Sequence, residues 1–198
     1  TYDTKDKRLG DFGIGWRVDL SGPRATPNGR LGQGGWYTEP FGFPFTRFRF
    51  KTSVAHFVTV TSPGGRVEVF DLVPAPSGPL LSLTTPEFVA RPGTGTTSTL
   101  EDANPPTLSM AGTSLASFFG GELYDPRLFR LTTKDGDMLI IDRFDGLQSI
   151  TDRNGNRLTF SADGVSSPST DRHLTFVRDG AGRITEIRGP AGKRPQSA

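Results

Sequence analysis

The sequence predicts an all-β fold in which antiparallel β-hairpins form a curved, partly open sheet connected by long irregular loops. The first indication is composition, because the 198 residues include 25 Gly and 16 Pro and only 33% are apolar, which is typical of many short strands and turns. The second is the alternation of apolar and polar residues over 45–51 and 57–61, which predicts strands with one wet face. The third is a recurring hairpin unit.

That unit consists of a Thr or Arg, a Gly four residues later and an apolar residue five residues after the Gly. Its four occurrences are Thr61-Gly65-Phe70, Thr132-Gly136-Ile141, Thr151-Gly155-Phe160 and Arg178-Gly182-Ile187. Each Gly lies in a turn signal, and at Asn154-Gly155 we predict a tight turn in which both residues adopt positive φ. The unit therefore predicts an array that grows by the addition of hairpins.

The texture of the sequence divides the chain into three segments. Residues 1–70 form an aromatic and Gly-rich β region, residues 71–127 form a Pro-, Ser- and Thr-rich irregular segment, and residues 128–198 carry the hairpin repeats. In the middle segment we predict long loops, because Pro lacks the N–H that a central strand needs. We also expect strands near residues 80–83 and 88–90 and one helical turn near residues 114–118.

Composition and charge exclude several classes of protein. The chain has no Cys, so it forms neither a disulfide framework nor a thiolate metal site. A net charge of +2 arises from scattered Arg residues, and the sequence contains no evident basic cluster of the kind that binds nucleic acid. No apolar run is long enough for a membrane span. Because the first residue is Thr1 and not Met, we expect a processed protein or a piece of a longer polypeptide.

The sequence contains no recognisable catalytic or metal-binding constellation. We interpret His56 and His173 as ordinary strand residues, since neither has the partner spacing of a zinc site or a general base. Oxygen-bearing side chains alternate over residues 152–156, as in calcium loops, but the Asn-Gly turn explains the same pattern. We therefore predict no catalytic residue, no metal and no cofactor.

The aromatic first segment allows two interpretations. Trp16, Trp36 and Tyr37 could form a surface on which sugar rings stack. Alternatively, the rings fill space in a Gly-rich sheet, and we favour this second interpretation.

Several strings of residues together resemble the Rhs/YD-repeat family. The resemblance is carried by residues 146–160 (GLQSITDRNGNRLTF) and 178–187 (RDGAGRITEI), by Asp11-Phe12-Gly13-Ile14-Gly15-Trp16, and by Tyr124-Asp125-Pro126 before the first regular repeat. It implies a spiral of antiparallel hairpins that closes as a shell, of which this chain would supply the N-terminal part. The self-cleaving element of the family has no counterpart here.

The resemblance implies a non-catalytic structural module that encloses or displays a toxin or effector domain in a secreted or cell-surface protein. Its partners would be the remainder of a longer Rhs-type polypeptide or the toxin cargo. The alternative function is an extracellular module that recognises glycan or protein, and a small β-rich hydrolase is the third. We expect no nucleic-acid partner.

Overall fold

A computed structural model describes residues 9–10, 13–14, 22–78, 82–168 and 172–189. These residues form antiparallel strands, turns and loops, and the sheets are open, which confirms the predicted fold class. Since no helix occurs in the described part of the chain, none there is long and apolar enough to cross a membrane. The chain divides into two compact units: unit 1 comprises Thr1–Ser21 with Gln148–Ala198, and unit 2 comprises Gly22–Leu147.

The strands are numbered in chain order. In unit 1, the short strands β1 (Leu9–Gly10) and β2 (Gly13–Ile14) pair with each other. The strands of unit 2 are β3 (Arg24–Pro27), β4 (Trp36–Phe41), β5 (Arg47–Thr52), β6 (Phe57–Thr61), β7 (Val67–Leu72), β8 (Leu83–Thr84), β9 (Phe88–Ala90), β10 (Thr99–Asp102), β11 (Leu108–Ala111), β12 (Ser114–Ser117), β13 (Leu128–Thr132) and β14 (Met138–Asp142). The remaining strands are β15 (Gly146–Thr151), β16 (Arg157–Ser161), β17 (Gly164–Ser167), β18 (Arg172–Arg178) and β19 (Ile184–Arg188).

The main sheet of unit 2 follows the order β14-β13-β10-β9-β7-β6-β3. Buried and more exposed residues alternate along its strands: Val58, Val60 and Phe70 are fully buried, while their neighbours along the strand are more exposed. Strands β3 and β14 stand at opposite ends of this order and yet come into contact. The sheet is therefore curved, and it remains open because these two strands do not pair.

Two smaller sheets belong to unit 2. Strands β4 and β5 form a two-stranded hairpin, and β8, β11 and β12 form a three-stranded sheet in the order β12-β11-β8. Leu108 and Leu115 of the three-stranded sheet have no exposed surface, which shows that this sheet belongs to the core of unit 2.

In unit 1, to which β15 belongs from Gln148 onward, strands β15 to β19 pair in chain order. The register pairs Ile150 with Leu158, Phe160 with Val165, and Val165 with Leu174, and directly paired residues project to the same side of a sheet. The same reasoning places Phe176 and its partner Ile187 on that side. One face of the unit 1 sheet is therefore apolar, and we call it the apolar face.

The middle segment is more regular than the sequence predicted. Strands β8 to β12 lie between residues 83 and 117, because prolines such as Pro92 and Pro105 fall between strands and not inside them. A strand does occupy Phe88–Ala90, whereas residues 79–81 lie outside the described residues.

The predicted helical turn near residues 114–118 is wrong. Ser114–Ser117 is strand β12, which pairs with β11 from Ala111↔Ser114 to Leu108↔Ser117. Gly112, with φ of +63°, forms the tight turn between the two strands. The N–H of Leu115 also donates to the carbonyl of Gly32 at 2.8 Å, so tertiary pairing fixes the segment as a strand.

Candidate functional site

The four recurring units form hairpins with one shared turn geometry. In each, the N–H of the first loop residue donates to the carbonyl of the residue four positions later, and the N–H of the Gly donates to the carbonyl of the first loop residue, with N–O distances of 2.9–3.0 Å. The four loops are residues 62–66, 133–137, 152–156 and 179–183. The same local chemistry therefore occurs in both units of the molecule.

The glycines of these turns have a left-handed backbone. Their φ angles are +78° at Gly65, +90° at Gly136, +86° at Gly155 and +80° at Gly182. A side chain with a Cβ disfavours this conformation, whereas Gly adopts it freely. Each of the four turns thus requires its Gly for a backbone reason.

The detailed prediction for Asn154 is wrong. The bond from the N–H of Gly155 to the carbonyl of Asp152 at 3.0 Å places Arg153 and Asn154, and not Asn154 and Gly155, at the centre of the turn. The hairpin loop is therefore a turn followed by a left-handed Gly, which is the common arrangement of three-residue hairpin connections. Asn154 instead donates its backbone N–H to Asp152 Oδ1 at 2.8 Å.

An aspartate is the first residue of both recurring loops in unit 1, residues 152–156 and 179–183. Asp152 Oδ1 accepts the backbone N–H of Asn156 at 2.9 Å and its Oδ2 accepts the Asn156 side-chain amide at 2.8 Å. These hydrogen bonds, first that of the side chain and then that of the backbone, lower the pKa of Asp152. Backbone and side-chain donation from Arg183 likewise lowers the pKa of Asp179. The calcium-like pattern at residues 152–156 is thus a hydrogen-bonded turn, and the described residues contain no group of three or more His, Cys, Asp or Glu side chains that could hold a metal ion.

Of the aromatic candidates for glycan stacking, the two that the structure describes, Trp36 and Tyr37, do not form a shared platform. Trp36 is only 2% exposed, its Nε1 donates to the carbonyl of Leu31 at 3.1 Å, and its ring stacks on His56 with centroids 4.8 Å apart. The stacking hypothesis is therefore wrong for Trp36, because sugar cannot reach a buried ring. Tyr37 is 43% exposed and projects to the other side of strand β4, and Trp16 lies outside the described residues.

The two histidines occupy different environments. His56 is buried before strand β6, its Nε2 lies 3.0 Å from the carbonyl oxygen of Gly34, and burial lowers its pKa despite that hydrogen bond. His173 is an exposed residue of strand β18. His173 is thus a strand residue, as predicted, whereas the same prediction for His56 is wrong, because β6 begins only at Phe57.

A buried corner of unit 2 is built around Tyr124. Its hydroxyl donates to Asp102 Oδ2 at 3.2 Å, and its carbonyl accepts the N–H of Gly32 at 2.7 Å. A Cβ at Gly32 would lie 2.4 Å from the carbonyl oxygen of Leu115, so the backbones meet there only because Gly has no side chain. Burial raises the pKa of both Tyr124 and Asp102.

Charged residues surround this corner in ion pairs. Both Asp125 carboxylate oxygens accept from Arg143, at 2.5 and 2.9 Å. Arg127 donates to Asp142 at 2.5 Å and to Asp145 at 2.7 Å. An open cleft of about 350 Å³ is lined by Asp102, Tyr124, Asp125 and Arg127, among others.

The ion pairs of this corner connect the segments that flank β13 and β14, and the hydrogen bond from Tyr124 to Asp102 connects the corner to β10. Sequence reasoning identified Tyr124-Asp125 only as part of a motif and did not predict its partners. The available signal was that Asp precedes Arg both in Asp125-Pro126-Arg127 and in Asp142-Arg143. Only the antiparallel pairing of β13 with β14 brings the two segments side by side with opposite charges facing each other.

The apolar face of unit 1 is the second candidate surface. On it, Leu158 and Leu174 are each 43% exposed and Ile187 is 51% exposed, whereas Phe176 is 8% exposed. Polar residues such as Thr159 and His173 occupy the opposite side of the same strands. The sheet is amphipathic, and its apolar side is covered only in part.

No protein-family model, curated protein or solved structure matches the chain.

Proposed function

We propose that the chain is a non-catalytic structural module of an Rhs/YD-repeat type of shell, which encloses or displays a toxin or effector domain in a secreted or cell-surface polypeptide. The observation that carries the proposal is the unit 1 sheet. Its strands pair strictly in chain order, and its apolar face is half exposed.

The strand order supports a shell whose β-sheet grows in one direction along the chain. In unit 2 the order also follows the chain, from β3 at one end to β14 at the other, although several strands belong to smaller sheets. In unit 1, β19 stands at the end of the order, with β18 as its partner among the described residues. Such an edge offers backbone donors and acceptors to a further hairpin.

The exposed apolar face supports the proposal that this sheet packs against another protein domain. A sheet that is apolar on one side packs that side against another layer. About half of the surface of Leu158, Leu174 and Ile187 is exposed. Leu and Ile side chains in a protein core are far more deeply buried. A wall that packs this side against an enclosed or displayed domain would cover these residues.

Site-specific photo-crosslinking tests this role. A benzophenone side chain is placed at Leu174 or at His173, which are neighbours on β18 but project to opposite sides of the sheet. In the native host, we expect the Leu174 probe to form a covalent adduct with another protein domain and the His173 probe to form none. Equal labelling from both positions, or no adduct from either, would contradict the proposal.

A second experiment tests the edge separately. A copy of residues 148–189 is appended to the whole chain, and hydrogen exchange is measured on β19 of the original copy. Pairing with the appended hairpins should slow that exchange. The matched control carries Val at both turn glycines of the appended copy. If β19 exchanges equally fast in both chains, the sheet does not grow by edge addition.

A further inference from the structure

The hairpin formed by β4 and β5 ends in an exposed aromatic tip. This tip, residues 42–46, contains Phe43, which is 98% exposed, and Phe45, which is 71% exposed. Exposed aromatic residues of this size mark interaction surfaces when they occur together. Neither the proposed shell nor the buried core of unit 2 uses them.

The base of the hairpin is packed against the rest of unit 2. Trp36 is 2% and Phe50 is 5% exposed. The N–H of Phe48 donates to Ser77 Oγ and its carbonyl accepts the N–H of Ser77, both at 2.9 Å. The aromatic tip therefore extends from an anchored hairpin and presents its rings in a defined place.

One side of the hairpin is basic and aromatic. The register pairs Phe41 with Arg47, Glu39 with Arg49 and Tyr37 with Lys51, so these six residues share one side of the hairpin. Lys51 Nζ lies 3.5 Å from Glu39 Oε2, and the Arg49 guanidinium lies 4.3 Å from the centre of the Phe41 ring. Three cations against one anion leave this side net positive next to the tip.

We propose that this hairpin docks on the surface of an anionic phospholipid bilayer. Phe43 and Phe45 enter the boundary between headgroups and acyl chains, where aromatic rings are favoured. Arg47, Arg49 and Lys51 bind the phosphate and carboxylate groups of the lipids. The combination of an apolar insertion and a basic side is the general chemistry of interfacial membrane binding.

The arrangement favours a bilayer over a single-stranded nucleic acid. Nucleic-acid platforms stack successive bases on aromatic faces along a charged groove. Here the two most exposed rings of the hairpin, Phe43 and Phe45, lie at its tip, beyond its basic side. This geometry suits insertion of the tip into a layer whose surface is charged and whose interior is apolar.

The test is co-sedimentation of the chain with vesicles of phosphatidylcholine, alone or mixed with phosphatidylserine. We expect binding to the mixed vesicles and much weaker binding to phosphatidylcholine alone. The double variant Phe43→Ser/Phe45→Ser should bind at least about tenfold more weakly, because burial of each ring is lost. Arg47→Gln should weaken binding about fivefold, since one cation near the surface is removed.

Matched variants separate this role from general effects on the surface. Phe119 is 86% exposed and lies in the loop after β12, so Phe119→Ser removes an equally exposed ring elsewhere. Arg153, exposed in a unit 1 turn, gives the matched Arg153→Gln. Both controls should bind as well as the unaltered chain, and all variants should keep its melting temperature.

A Phe43→Trp variant reports on insertion itself. Its tryptophan emission should shift to the blue when phosphatidylserine vesicles are added. Three results would overturn the proposal: no binding to anionic vesicles, an equal loss in Phe119→Ser, or stronger binding to an oligothymidylate with the same dependence on Phe43 and Phe45.

Discussion

The hairpins of the two units share a turn but differ in how deeply they are buried. Five residues after the turn glycine, Phe70 and Ile141 in unit 2 have no exposed surface, whereas Ile187 in unit 1 is 51% exposed. The turn hydrogen bonds are the same to within 0.1 Å in both units. Local turn chemistry therefore determines the hairpin, and the surrounding layers determine how much its apolar face contributes to stability.

The first residue of each turn shows the same contrast. In unit 1 it is Asp152 or Asp179, whose carboxylates accept two backbone N–H groups each. In unit 2 it is Ser62 or Thr133, and Thr133 Oγ1 accepts the N–H of Asp137 at 3.2 Å. The less buried hairpins thus have the more strongly hydrogen-bonded turns.

The largest predicted effect compares one substitution at equivalent positions. Ile141→Ala should lower the free energy of unfolding by about 2–5 kcal/mol, because it leaves a cavity in a packed core. Ile187→Ala should cost less than about 1 kcal/mol, because the side chain is half in solvent already. Urea unfolding, with hydrogen exchange read separately on each unit, measures both.

The cost of Ile187→Ala depends on whether a partner covers the apolar face of unit 1. If the apolar face gains a partner, Ile187→Ala should become more costly in the presence of that partner, and Ile141→Ala should be unchanged. Equal losses for the two variants in the isolated chain would show that the difference in burial has no energetic meaning.

The turns themselves provide the second prediction. A Cβ at Gly65 or Gly155 would meet no atom within 4 Å, so the cost of Gly→Val there arises from the positive φ. We expect about 1–3 kcal/mol at either site, and less for Gly155→Asn, because Asn tolerates the left-handed conformation. Melting temperatures check this. A much larger cost at Gly65 than at Gly155 would mean that the two turns are not equivalent.

The sequence predicted the hairpins because their signals are local. Gly155 and the alternation around it specify a turn and two strands without reference to distant residues. The burial of Trp36 depends instead on Leu31 and His56, and the partners of Tyr124 come from β10 and from the loop around Gly32. Such pairings join residues that are distant in the sequence, and no local signal specifies them. Strand β12 likewise depends on its pairing with β11 and on the bond from Leu115 to Gly32, which its short and mixed sequence does not indicate.

A third prediction concerns the buried carboxylate of Glu68 in unit 2. Burial raises its pKa, but donation from the Thr97 and Ser98 N–H groups, the Ser98 hydroxyl and the charge of Arg66 outweigh burial, and the net pKa is lowered. Glu68→Gln should therefore destabilise the protein at neutral pH. The difference should shrink as the pH falls below the ordinary carboxyl value and through the lowered pKa. Urea unfolding across pH measures it, and a constant difference would contradict the assignment.

The smallest predicted effect has the opposite sign and belongs to Asp102. In the described part of unit 1, the acidic residues with shifted pKa values all have a lowered pKa: Asp152, Asp179 and Glu186. Burial raises that of Asp102 despite hydrogen bonds from the Asn104 N–H and the Tyr124 hydroxyl. A raised pKa in the folded state contributes stability below the ordinary carboxyl range, and that contribution is lost as the pH rises through the raised value.

Asp102→Asn removes this titration and keeps a polar group of the same shape beside Tyr124. The variant should therefore gain stability relative to the unaltered chain as the pH rises from acid to neutral, whereas Glu68→Gln loses it over the same range. The same urea series measures both profiles. Parallel profiles for the two variants would show that burial does not shift the pKa values of Glu68 and Asp102 in opposite directions. The contrast between Asp102 and the turn aspartates of unit 1 would then not extend to their ionisation.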